Sequence, residues 1–87
     1  MQNLQDMKKE LISEQPIDIT ISCMVEEMSE LTKVLMKYDR KSPKFTIEKL
    51  TEEVAHVLLM ASIVKDAFKI DNIKIYEEQV DALLRYQ

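Results

Sequence analysis

Not one of the 87 residues is glycine. Tight hairpin turns draw on glycine for backbone conformations that other residues reach only at a cost. A sheet-rich fold is therefore hard to build from this chain, and an all-α fold is not. Two prolines, Pro16 and Pro43, are the only strong breakers. The remaining punctuation must come from short polar clusters.

Apolar spacing divides the chain into four helices. Leu4, Met7 and Leu11 recur at three and four residues, which predicts a helix over 2–13. Gln15-Pro16 ends it, because the residue before proline avoids the α region. Ile17, Ile21, Met24, Met28, Leu31, Leu35 and Tyr38 then alternate fours and threes, predicting a helix over 16–39 with a packing seam. Ile17, Ile19, Ile21 and Cys23 also alternate as a strand would. The heptad runs on past Cys23, however, and Pro16 suits a helix start.

After the polar connection 39–44, Thr46 reads as an N-cap and Glu48 as a first-turn acid, with Phe45 and Leu50 spaced as a hydrophobic staple. This predicts a third helix over 46–69, apolar on most of its circumference from Val54 to Val64. Asp71 or Asn72 caps a fourth over 72–86, whose stripe is Ile73, Tyr76, Val80 and Leu83. The expectation is one domain, residues 1–87, forming a bundle of about four helices.

Composition narrows the function classes. The net charge of −4 argues against a nucleic-acid polymer or an anionic membrane as partner, since both are bound through basic faces. One cysteine, Cys23, permits no intrachain disulfide and no thiolate zinc cluster. The first residues lack the apolar run of a signal peptide, and the longest uncharged run, 57–64, is too short to span a bilayer. A cytoplasmic location is expected. A chain this size buries only about 60% of its unfolded surface, so completion of the fold by oligomerisation is expected.

Helical wheels at about 100° per residue show which acids face inward. With Met24 at zero, Met28, Leu31, Leu35 and Tyr38 lie within about 40°, and Glu27 falls at about −60° inside the apolar arc. Glu30 sits at its rim beside Cys23, and Glu26 faces away. With Val57 at zero, Glu53 falls at about −40° in the centre of an apolar face and His56 at about −100°. Antiparallel neighbours would bring Glu27, Glu30, Glu53 and His56 together. The expectation is that no lysine or arginine on these arcs neutralises them. A divalent cation is then the simplest counter-charge: Mg²⁺ or Mn²⁺ for the carboxylates, with His56 favouring Mn²⁺ or a later metal. Taken singly, each feature also has a plain structural reading, as solvated surface acids, a satisfied histidine and core methionines. The coincidence of two inward pairs is what points to a site.

Glu26-Glu27-Met28-Ser29-Glu30, a 22-residue spacer and Glu53-Val54-Ala55-His56 together resemble the signature of the MazG-like all-α nucleotide pyrophosphohydrolases, Glu-Glu-x-x-Glu followed by Glu-x-x-Asp. The resemblance spans about residues 17–86. It implies a helical bundle, assembled as a homodimer or homotetramer, that hydrolyses a nucleoside triphosphate or related nucleotide to the monophosphate and pyrophosphate. It further implies Glu27, Glu30 and Glu53 as ligands of Mg²⁺. His56 stands where the family has Asp, which removes one negative charge and shifts metal preference toward Mn²⁺. Glu27 or Glu30 is the expected general base. Lys37, near the Glu30 edge, is the expected phosphate contact; Tyr38 and Tyr76 are expected chiefly to pack, with stacking on a base as the alternative. The alternatives are a non-catalytic relative that binds nucleotide or metal, and an interaction module using the heptad seam.

Overall fold

A computed structural model describes residues 3–87 and contains four helices: α1 (Leu4–Glu14), α2 (Ile17–Asp39), α3 (Ile47–Ala67) and α4 (Asn72–Arg85). Each lies within two residues of its predicted bounds at the described ends; the expected first residue of α1, Gln2, lies outside the described residues. The strand-like alternation over 17–23 is helical, as the heptad required.

The caps explain the boundaries. Asn3 Oδ1 accepts the Asp6 N–H at 2.8 Å, Thr46 Oγ1 accepts the Lys49 N–H at 3.1 Å, and Asp71 Oδ1 accepts the Ile73 N–H at 2.8 Å. Each satisfies a donor that has no partner inside its own helix. The C-termini of α2 and α3 close without glycine. Lys41 and Lys69 take φ of 57° and 56°, and the next residues, Ser42 and Ile70, donate N–H groups back to Lys37 and Lys65 carbonyls at 2.9 Å. This is the Schellman arrangement with lysine where glycine is favoured. It turns α3 off at Ala67, two residues before its predicted end.

The principal packing is the α2–α3 hairpin. Tyr38 meets Phe45 edge-to-face across the connection, with ring centroids 5.2 Å apart. Eleven residues further back along each arm, Glu27 meets His56. Two contacts in step on opposite arms fix the pair as antiparallel. α1 leans on α3 through polar groups: the Lys8 ammonium donates to Ser62 Oγ and lies 3.6 Å from Asp66 Oδ2.

The buried residues of α2, Thr20 and Val34, flank half-buried Glu27 on a face rotated about 60° from the seam centred on Met24. Met28 and Leu35 consequently face outward, 50% and 48% exposed. The apolar stripe of α1, Leu4, Met7 and Leu11, is uncovered too, as are Ile73, Tyr76 and Leu83 of α4. α3 is buried along Glu53, Met60 and Ile63, but Leu58 is exposed, so the helix expected to be covered on several sides is covered mainly by α2. The whole has a radius of gyration of 15.5 Å, against about 12 Å for a compact chain of this length. No described helix is long and apolar enough to cross a membrane.

Candidate metal centre

The middle of the hairpin carries a cluster of ionisable side chains. α2 brings Glu27 and α3 brings Glu53 and His56; ligand atoms of all three lie within 4.8 Å of one another. His56 Nδ1 is 3.1 Å from Glu27 Oε2 and 4.0 Å from Glu53 Oε2. His56 Nδ1 and Glu27 Oε2 share a hydrogen bond that ties α3 to α2.

Burial is uneven in a useful way. The Glu53 side chain is 4% exposed, whereas Glu27 and His56 remain partly open to solvent. The cluster thus has a buried floor and an accessible rim. Glu53 Oε2 is buried and has no hydrogen-bond partner. A buried oxygen of this kind costs about 1–3 kcal/mol when nothing meets it.

That orphaned oxygen is the test of whether a divalent cation fits. Carboxylate oxygen and imidazole nitrogen are donors that Mn²⁺ accepts readily, and Mg²⁺ accepts the oxygens. Opposite donors around such an ion stand about 4.2 Å apart. A spread of 4.8 Å closes to that distance with small side-chain movements. The residues fit.

The expectation that no cation reaches these acids is corrected by Lys49. Its ammonium lies 3.2 Å from Glu53 Oε1 and 3.2 Å from Glu52 Oε2. The wheel held the signal: Lys49 falls at about −80°, between Glu53 and His56, one turn before the acid. The two acids in turn hold the Lys49 ammonium above its ordinary pKa, chiefly through the hydrogen bond to Glu53 and then that to Glu52.

Glu30 lies outside the three-residue cluster. It is one turn beyond Glu27 on α2, with its carboxylate 3.3 Å from Lys33. Glu26 is exposed, as the wheel required. Lys37 is exposed and lines a shallow groove of about 290 Å³ with Lys33, Met36 and Arg40, a basic stripe beside Glu30. Tyr38 and Tyr76 are exposed, and Cys23 is a half-buried free thiol on α2.

Compared with known proteins, the chain matches no family model, no curated protein and no solved structure.

Proposed function

We propose that this chain is a metal-dependent nucleotide pyrophosphohydrolase of MazG-like type, cleaving the α–β phosphoanhydride of a nucleoside triphosphate or related nucleotide. The observation that carries the reading is the convergence of Glu27, Glu53 and His56 from two helices around a buried, unpartnered Glu53 oxygen. Motif residues 26 positions apart in sequence meet in one place, as the resemblance implies.

Glu53 forms the fixed floor of the site, because its side chain is buried and held by Lys49. Glu27 and His56 close over it from the rim, and Glu30 extends the acidic edge. Mg²⁺ or Mn²⁺, when bound, would polarise the phosphate and lower the pKa of a water molecule. Glu27, partly exposed and bonded to His56, is the acid best placed to take that water's proton, with Glu30 next along the helix. Lys37, in the basic stripe beside Glu30, meets remaining phosphate charge.

The protein works as a homo-oligomer in this reading, a homodimer or homotetramer. A single chain exposes 7227 Å², about 1,900 Å² more than a compact monomer of its mass. That excess is the scale of an obligate interface, which hides about 1,000–2,500 Å² per subunit. The uncovered stripes of α1, α2 and α4 supply the apolar surface for it.

A non-catalytic relative is the second reading, and one observation favours it. Lys49 and the His56–Glu27 bond already answer part of the acids' charge within the chain. The deciding experiment is pyrophosphate release from a panel of ribo- and deoxyribonucleoside triphosphates with Mg²⁺ or Mn²⁺, using Glu53→Gln as control. Release that disappears in the control establishes the enzyme. No release from folded protein with either metal establishes the non-catalytic reading, and a gain of release in His56→Asp would then identify His56 as the cause.

A further inference from the structure

Lys49 has no part in the proposed reaction, yet it sits on the one buried acid of the site. Its ammonium is shared evenly between Glu53 Oε1 and Glu52 Oε2, each at 3.2 Å. The two acids differ sharply in setting. Glu53 is buried and its second oxygen faces the cluster unpartnered, whereas the Glu52 side chain is about half exposed. Lys49 itself is about half exposed on the first turns of α3, free to pivot about its long stem.

We infer that Lys49 is a built-in counter-cation of the metal centre: its ammonium holds Glu53 while no divalent ion is bound and withdraws onto Glu52 when one is. The inference rests on the metal reading given above and deepens it. Two positive charges cannot share one buried carboxylate without repulsion. Glu52, adjacent in sequence and already in contact with the ammonium, gives the displaced charge an immediate partner. Lys49 thereby limits the cost of an empty site and raises the concentration of metal needed to fill it. Glu52, outside the cluster, becomes a positioning residue that makes room for the ion.

The test is Mn²⁺ binding to the full chain, followed by the paramagnetic resonance signal of free Mn²⁺. It compares wild type, Lys49→Met, Glu52→Gln, the double variant and Glu53→Gln. Removing the competing charge tightens Mn²⁺ about fivefold in Lys49→Met, the scale of a partly exposed ion pair. Glu52→Gln weakens binding in the wild-type background, where Lys49 has lost its second partner, and changes it little in Lys49→Met. That coupling separates the pivot from a general field effect, which would make the two changes additive. Equal affinity in wild type and Lys49→Met, or additivity, overturns the inference. If Glu53→Gln still abolishes binding in that case, the metal reading stands without it. No binding by any variant overturns both. Lys49→Gln and far-UV circular dichroism guard against an unfolded variant being read as a weak binder.

Discussion

Glu53→Gln separates an acid kept for an ion from an acid kept for the fold. The side chain is 4% exposed, and its Oε2 meets no donor. Burying that oxygen costs about 1–3 kcal/mol. Glutamine fills the same volume, carries no charge and brings an NH₂ group that can donate to Glu27. What is lost is the pair with Lys49, the smaller contribution because the lysine is half in water. The expected net effect in metal-free buffer is a gain of about 1 kcal/mol. For a chain of this length that shifts the urea midpoint up by about 1 M and Tm by about 4–8 °C. With Mn²⁺ at a hundred times its Kd, the wild type gains about 2.7 kcal/mol and the variant gains none. The order of stability therefore reverses between EDTA and Mn²⁺. Urea unfolding followed by far-UV circular dichroism in both buffers reads it directly. A Glu53→Gln protein that is less stable than wild type in EDTA would refute the reasoning, since the carboxylate would then be a structural partner in its own right.

Three further outcomes follow from the fold. Lys41→Gly and Lys69→Gly each relieve a left-handed backbone and raise stability by about 0.5–1 kcal/mol in the same urea assay. Asp66 is held below its ordinary pKa by the Lys65 ammonium first and by Lys8 as well. Its contribution is therefore present above about pH 3.9 and lost as pH falls through the lower folded value, so Asp66→Asn destabilises at pH 7 and by less as the buffer is acidified below that range. Sedimentation equilibrium gives a multiple of the 10.2 kDa chain mass, and Met28→Asp or Leu35→Asp on the uncovered face of α2 reduces it toward one chain.

Helix number, order and bounds were legible because caps and breakers are local: Thr46, Asp71 and Pro16 act within a turn of where they stand. Left-handed Lys69 was not legible, since nothing in a lysine announces a positive φ. The wheel set Glu27, Glu30, Glu53 and His56 toward one another; the structure groups Glu27, Glu53 and His56 and leaves Glu30 outside, beside Lys33. It misjudged the centre of the α2 seam. Hydrophobicity pulled the wheel toward Met24, Met28 and Leu35, while the face that meets α3 is centred on Glu27 itself. In a chain with more apolar residues than one hairpin can cover, the largest apolar arc need not be the intramolecular one. Lys49 was less legible because a lysine near a helix start ordinarily extends into solvent, whereas here its stem reaches a full turn along the helix to Glu53.

A cluster of ionisable side chains at the midpoint of the hairpin also settles how the two arms are aligned. Heptad-spaced helices lined only with aliphatic side chains could slide by one repeat and still bury similar area. Here a slip of seven residues in one direction would set Glu27 against Ile63. In the other it would set Glu53 against Cys23. Either alignment parts Glu27 from His56, while Glu53 keeps Lys49 in every register because both stand on α3. The Glu27–His56 bond thus belongs to one register, and its loss penalises the competing registers relative to the native one.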